Sequence, residues 1–330
     1  MYFYCTKCLK EYPLNTFSYK CECGGLFQLH KTKEEQIPNT ISLGEIETPM
    51  LKRKIAGQTV FLKLDYFMPS GSFKDRGAYT TVNVLKQIGI NSIVEDSSGN
   101  AGAAFAAYCA AAAIKCNIYL PASTSAGKIK QIAAYGANIV KVPGSRDDVS
   151  AAIKVAAQST YYASHVYNPL FFEGTKSLAY EIHKQIGMPD YIFVPVGNGT
   201  MLLGLYKGFC ELGQLPKFIA VQSTHCSPIY NKFHNLQKTE IQATCAEGIA
   251  VGNPMRIDEI INAVRKTNGT FIKVEDNMLM QIEQKLSLSG IYAESTACAA
   301  VAAFVQYREK HALSKEAKIV IPLSGSGLKK

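Results

Sequence analysis

The chain has 330 residues, which is enough for about two domains with a large core. Hydrophobic residues make up 47% and charged residues 18%, an ordinary soluble composition. No apolar run reaches the ~20 residues of a membrane span, so we expect no membrane partner. The net charge is +9, but the basic residues are scattered, which argues against a nucleic-acid-binding protein.

The first 30 residues contain four of the ten cysteines. Cys5-x-x-Cys8 and Cys21-x-Cys23 are two short pairs separated by twelve residues, a pattern typical of a small zinc ribbon. The second pair is one residue tighter than the usual spacing, so a metal-free hairpin is the alternative. The start "MYFYCTKCLK" has no secretory signal, and we therefore expect a cytoplasmic protein whose cysteines are thiols or ligands.

From about residue 41 onward, short β-rich runs alternate with helical stretches. Strands are predicted over "TVFLKLD", "NSIVEDSS", "KCNIYLP", "ANIVKVP", "DYIFVPVG", "KFIAVQS" and "AKIVIPLSGSG". Helices are predicted over 73–87 and over "AGAAFAAYCAAAA", "SAGKIKQIAAYG", "SRDDVSAAIKVAAQ" and "TMLLGLYKGFCEL". This alternation indicates βαβ units, and hence an α/β fold with parallel sheets.

A lysine stands at an unusual place in "PSGSFKDRGA", residues 69–78. Ser72 is a good helix N-cap, which puts Lys74 in the first turn of the following helix. A cation is disfavoured at that end of the helix dipole. Lys74 is therefore either a solvated surface lysine or an amine that forms a covalent bond.

Several strand ends lead directly into loops rich in glycine, serine and asparagine. In "VPVGNGTMLLG" the backbone amides at the helix start are suited to binding a phosphate, although a simple tight turn has the same sequence. These residues are Gly197, Asn198, Gly199, Thr200 and Met201. The loop is neither a Walker loop nor a dinucleotide fingerprint.

The segment "EDSSGNAGAAFAAY" has the same strand, turn and helix order. Ser97, Ser98 and Asn100 open its alanine-rich helix, where amides and a hydroxyl can hold a carboxylate. Capping of the helix by Ser98 or Asn100 is the simpler interpretation, and it is compatible with binding.

Five motifs occur in an order that identifies a family. They are "PSGSFKDRGA", "SSGNAGAAFAAY", "PVGNGTMLLG", "GIYAESTACAAVAAF" and "LSGSGLK". Together they resemble the tryptophan synthase β superfamily, the fold type II pyridoxal-phosphate enzymes, and "GSFKDRG" is most similar to the threonine synthases. The resemblance covers roughly residues 41–330.

The resemblance implies pyridoxal 5'-phosphate as cofactor and a role for each matching residue. Lys74 matches the Schiff-base lysine, Asn100 the asparagine at the ring hydroxyl, and Ser324 the hydroxyl beside the pyridine nitrogen. Residues 197–201 match the phosphate loop, although Thr200 and Met201 replace its usual glycines. The substrate carboxylate is expected at Ser97, Ser98 and Gly99.

The implied activity is that of a lyase, threonine synthase, which converts O-phosphohomoserine and water to threonine and phosphate. Many family members have an arginine after the Asn-Pro of "HVYNPLFFEGTKS", where this chain has Leu170, Phe171 and Phe172. Lys128 and Lys176 are candidates to replace it at the substrate phosphate. The alternatives are a serine/threonine dehydratase-like ammonia-lyase and a catalytically silent paralogue that binds a ligand.

The resemblance also implies the domain organisation and the assembly. We expect a Cys-rich ribbon over 1–40, a large cofactor-binding domain over 41–85 and 166–330, and a small mobile domain over 86–165. Family members are commonly dimers, so a homodimer acting on a small amino-acid substrate is expected. His165 is predicted to be a packed core residue, and Glu294 either faces the site or interacts with its own helix start.

Overall fold

A computed structural model gives the fold of residues 1–329, except that the side chain of Lys128 lies outside the described part. The strands are β1 (Tyr2–Cys5), β2 (Glu11–Tyr12), β3 (Phe27–His30), β4 (Met50–Ile55), β5 (Gln58–Lys63), β6 (Ser92–Glu95), β7 (Lys115–Pro121), β8 (Asn138–Val142), β9 (Tyr161–Tyr162), β10 (Tyr191–Pro195), β11 (Lys217–Ser223), β12 (Thr270–Val274) and β13 (Ile319–Pro322). The helices are α1 (Lys74–Gln87), α2 (Asn100–Ala112), α3 (Ala126–Ala134), α4 (Arg146–Ala156), α5 (Pro169–Thr175), α6 (Ser177–Ile186), α7 (Thr200–Glu211), α8 (Pro228–Phe233), α9 (Ile257–Lys266), α10 (Asp276–Leu288) and α11 (Ser295–Lys310).

The chain divides into two compact units. The first unit comprises Met1–Glu45 and Lys74–Thr175, and the second comprises Ile46–Phe73 and Lys176–Lys330. The division predicted from the sequence differs, because it separates 1–40 as a ribbon and assigns 41–45, 74–85 and 166–175 to the larger domain. The predicted ribbon, large domain and small domain stay a prediction.

The first unit contains two sheets. Strands β2, β1 and β3 form an antiparallel sheet in that order, and β8, β7, β6 and β9 form a parallel sheet. Helix α2 is buried along most of its length, because its alanines allow close packing on the core around Ile93, Ile118 and Phe171. Helices α1 and α5 approach closely at Gly77, where a Cβ atom would lie 2.5 Å from the Phe171 ring.

The second unit contains one six-stranded sheet. Its strand order is β12, β11, β10, β13, β5 and β4, and all neighbours are parallel except β4, which pairs antiparallel at the edge. The core contains Phe193, Ile219 and Ile321 from the sheet together with the apolar residues of α11. The parallel sheets and the N-terminal Cys-rich ribbon confirm the predicted α/β fold class.

Candidate active site

Lys74 is the first residue of α1 in the first unit. Its side chain is partly buried, and its Nζ atom lies 5.7 Å from the centre of the Phe171 ring. A partly buried amine against an aromatic face differs from the solvated surface lysine that was the simpler interpretation of the sequence.

The turn that precedes α1 belongs to the second unit. The prediction that Ser72 is the N-cap of α1 is wrong. The helix begins at Lys74, so Phe73 and not Ser72 directly precedes it. The Ser72 hydroxyl is buried and has no hydrogen-bond partner among the described residues. An orphaned hydroxyl of this kind fits a site that holds a polar ligand.

The loop that follows β6 leads into the start of α2. Gly99 is the N-cap of this helix, so neither Ser98 nor Asn100 occupies that position. The Gly99 amide donates to Ser97 Oγ at 3.3 Å. A Cβ atom at Gly102 would lie 1.9 Å from the Ser97 carbonyl oxygen, so only glycine lets the loop lie this close to the helix. The loop therefore presents backbone amides at a helix start, an arrangement that binds carboxylates.

A buried pair beside this loop was missed as a functional feature in the sequence. Glu95 is fully buried, and its Oε1 lies 2.6 Å from His165 Nδ1. Burial raises the pKa of Glu95 to about 7. Burial, together with the nearby charge of Lys74, lowers the pKa of His165 to about 3. The acidic "ED" at the end of a predicted strand was the only sign of this pair in the sequence. His165 lies 70 residues away, so no local pattern links it to Glu95.

Asp96 neighbours this pair and is bound by two other side chains. Its carboxylate accepts hydrogen bonds from Tyr162 Oη at 2.7 Å and from Arg146 Nη2 at 2.9 Å. Burial raises the pKa of Asp96, and the Glu95 charge raises it further, while Arg146 lowers it. The two consecutive carboxyl groups therefore have different partners: His165 contacts Glu95, whereas Tyr162 and Arg146 bind Asp96.

The predicted phosphate loop lies in the second unit between β10 and α7. Gly199 is the N-cap of this twelve-residue helix and has a φ of +77°, a conformation that strongly favours glycine. A Cβ atom at Gly197 would lie 3.0 Å from the Gly248 carbonyl oxygen. Thr200 and Met201 are buried, so they contribute backbone amides more readily than side chains. A helix start without a side-chain cap fits a phosphate.

Ser324 follows β13 in the same unit and is buried. Its hydroxyl donates to Glu294 Oε1 at 3.0 Å, and the Glu294 amide donates to the Gly325 carbonyl at 2.9 Å. A Cβ atom at Gly325 would lie 2.3 Å from the Glu294 carboxyl carbon. Glu294 is the N-cap residue of α11, but it contacts the Ser324 loop as well as its own helix.

The two lysines predicted as candidates for the substrate phosphate lie in different segments of the chain. Lys128 lies in α3, but its side chain is outside the described residues. Lys176 is buried, and its Nζ pairs with Glu211 Oε1 at 2.6 Å. Residues 170–172 are buried in α5.

The four cysteines of the ribbon converge, although the pairs are far apart in the sequence. The Sγ atoms of Cys5, Cys8, Cys21 and Cys23 lie within 4.8 Å of one another. A tetrahedral zinc site with Zn–S bonds of about 2.3 Å has sulfurs about 3.8 Å apart, so the cluster fits this ion. The Lys7 amide donates to Cys5 Sγ and the Tyr12 hydroxyl donates to Cys21 Sγ at 3.2 Å. These donors stabilise thiolates.

Comparisons with known proteins agree with this geometry. Residues 41–325 match the family described as pyridoxal-phosphate dependent enzyme. A threonine synthase of Methanocaldococcus jannaschii is 29% identical over 372 residues, covering 98% of this chain and 92% of that protein. A threonine synthase of Methanosarcina acetivorans is 31% identical over 331 residues, covering 94% and 81%.

The structure of maize serine racemase superposes with a TM-score of 0.76 at 21% identity, covering 86% of this chain and 88% of that chain. At this identity the match shows a shared fold. The family match spans most of the chain, and the Methanosarcina relative matches nearly all of it. The chain therefore belongs to the pyridoxal-phosphate-dependent enzyme family, as a threonine synthase-like member.

Proposed function

We propose that this chain is a threonine synthase, a lyase of amino-acid biosynthesis that converts O-phosphohomoserine and water to threonine and phosphate. The observation that carries the proposal is Lys74, which opens α1 with its amine partly buried against Phe171. Threonine synthases that match nearly the whole chain support it.

The reacting amine and the substrate cradle are assigned to Lys74 and to the residues around the start of α2 in this proposal. Lys74 holds the cofactor through Nζ and carries the proton removed from the substrate. The Asn100 amide group hydrogen-bonds the ring hydroxyl. The backbone of Ser97, Ser98 and Gly99 holds the substrate carboxylate at the start of α2.

The anchor of the cofactor is assigned to the start of α7 and to Ser324. The amides of residues 197–201 hold its phosphate at the start of α7, and the Ser324 hydroxyl faces the pyridine nitrogen. Since Glu294 accepts a hydrogen bond from Ser324, it orients this hydroxyl. Pyridoxal phosphate supplies the electron sink when it is bound.

A dehydratase that releases ammonia from serine or threonine is the second candidate. Two observations favour it: Lys176 is already paired with Glu211, and residues 170–172 are apolar. A dehydratase needs no site for a substrate phosphate, whereas a threonine synthase does. In our proposal Lys128 contributes to that site.

Product analysis distinguishes the two activities. We expect phosphate release from O-phosphohomoserine to exceed 2-oxo acid formation from threonine or serine by about 100-fold in kcat/KM, because a built anion site discriminates strongly. The measurement is coupled phosphate and 2-oxo acid assays on one holoenzyme preparation. Faster 2-oxo acid formation contradicts the synthase assignment and supports the dehydratase.

We also propose that the ribbon holds a structural zinc ion. We expect about one zinc per chain in protein purified without added metal, and less than about a tenth of that in Cys5→Ser, because three thiolates bind zinc much more weakly than four. Metal analysis is the measurement. Cys226→Ser removes a buried cysteine outside the cluster, and it keeps the zinc. Equal metal contents in the two variants contradict the site.

We further propose a cytoplasmic homodimer that binds neither nucleic acid nor membranes. The scattered basic residues support the absence of a nucleic-acid partner, and the resemblance to a family whose members are commonly dimers supports the homodimer. In the described part of the chain, no helix combines the length and apolar character that crossing a bilayer requires.

A further inference from the structure

The Glu95–His165 pair has no role among the residues assigned above. His165 holds one carboxyl oxygen of Glu95, and the other, Oε2, is buried with no hydrogen-bond partner among the described residues. A buried carboxyl oxygen without a hydrogen-bond partner destabilises the folded protein. This cost points to a function at Oε2.

Lys74 acts on both members of the pair. Its positive charge lowers the pKa of Glu95 and that of His165. The His165 ring lies 6.0 Å from the Phe171 ring, and Lys74 Nζ lies 5.7 Å from the same ring. The amine and the imidazole of the pair therefore lie near the same aromatic ring.

The other charged and titratable groups that act on or face Glu95 come from several elements. They are Lys74 on α1, Cys109 on α2, Arg146 on α4, Tyr162 on β9, and the adjacent Asp96 and His165. Burial raises the pKa values of Cys109 and Tyr162 well above their usual range, so both stay protonated. Since Lys74 and Arg146 are both cations, a metal ion is disfavoured here.

Desolvation determines whether the Lys74 amine or the Glu95 carboxyl group holds a proton in this environment. Burial penalises an ammonium and a carboxylate far more than it penalises a neutral amine and a carboxylic acid. Because burial raises the pKa of Glu95 to about 7, this carboxyl changes its charge near neutral pH. His165 stays neutral there and positions Oε1.

We propose that Glu95 Oε2 accepts the proton that Lys74 must lose before its amine can react, with His165 as the positioning residue. The N–H bond of the Lys74 ammonium breaks, its nitrogen keeps the electron pair, and an O–H bond forms at Oε2. Two buried charges are replaced by two neutral groups. This inference rests on the proposed function, because it takes Lys74 as the residue that binds the cofactor.

The test is the pH dependence of cofactor capture by the full chain freed of cofactor. Capture is followed as absorbance at about 410 nm. In the wild type we expect the rate to rise about tenfold from pH 6 to pH 8, because Glu95 becomes an acceptor as it ionises through about pH 7. In Glu95→Gln the midpoint near pH 7 is lost, because the only proton then released is that of the Lys74 ammonium, and the rate at pH 8 falls about tenfold.

Asp96→Asn is the matched control, because it removes the adjacent carboxylate and leaves the His165 contact. It keeps the rise and moves its midpoint to lower pH, since a nearby negative charge is gone. If Glu95→Gln captures the cofactor faster at low pH, then Glu95 merely stabilises the ammonium and the inference is wrong. Absence of any band that depends on Lys74 in the wild type overturns the proposed function instead.

Discussion

Replacing Lys74 with alanine is expected to abolish the absorbance band at about 410 nm and to lower kcat/KM by about 10³-fold or more. The physical reason is that Nζ is the atom proposed to hold the cofactor and to carry the substrate proton, and alanine offers no substitute for either task. The measurements are the holoenzyme spectrum and phosphate release from O-phosphohomoserine.

Lys86→Ala is the matched control. Lys86 lies in the last turn of the same helix and is exposed. Its replacement by alanine therefore removes one positive charge from α1, as Lys74→Ala does. We expect the control to keep the band and the activity within about twofold. A Lys74→Ala protein with an unchanged band, in a folded state shown by its circular dichroism, would falsify the assignment of this lysine.

The position of Lys74 could be predicted from the sequence because the information is local. A Pro-Ser-Gly turn precedes a helical run, and α1 begins within one residue of the predicted start. The same holds for the loop before α7, where a strand, two glycines and a helix follow one another directly. Signals within about ten residues of each other were sufficient for these elements.

Contacts between distant segments could not be predicted in this way. Glu95 and His165 are 70 residues apart, and Ser324 and Glu294 are 30 apart. A single chain contains no information on which buried acid meets which buried base, because several strand-end carboxylates have the same local pattern. Strand ends converge at one edge of a parallel sheet, which reduces the number of possible acid–base pairs but does not identify the pair that forms.

The ribbon is an intermediate case. The Cys spacings predicted a metal site, and the four Sγ atoms do come together. The tight Cys21-x-Cys23 pair was an argument against tetrahedral geometry. Gly25 explains why the turn tolerates it, because any Cβ atom there would lie 2.4 Å from Cys5 Sγ. This steric requirement depends on the folded backbone, so it could not be predicted from the spacing of the cysteines in the sequence.

Replacing Gly199 with alanine is expected to lower the affinity for pyridoxal phosphate by about 10- to 100-fold. Gly199 has a φ of +77°, and a Cβ atom there would lie 2.4 Å from Ile260 Cδ1 and 2.6 Å from Ile260 Cγ1. Because Ile260 is buried in the core, it cannot move away from the added Cβ atom, and the turn must move instead. The amides of residues 197–201 then no longer point in one direction. Cofactor titration measures the affinity, and urea unfolding measures the stability.

Gly213→Ala separates the two causes of strain. Gly213 lies at the other end of α7 with the same φ of +77°, but nothing lies within 4 Å of its Cβ position. Its replacement costs only the left-handed conformation, about 1–2 kcal/mol, whereas Gly199→Ala adds an overpacking cost of about 1–3 kcal/mol. If the two variants bind the cofactor equally well, the turn before α7 does not hold the phosphate. Loss of affinity in Gly199→Ala alone ties the phosphate to this helix start, because both variants share the backbone strain and only one of them displaces the amides.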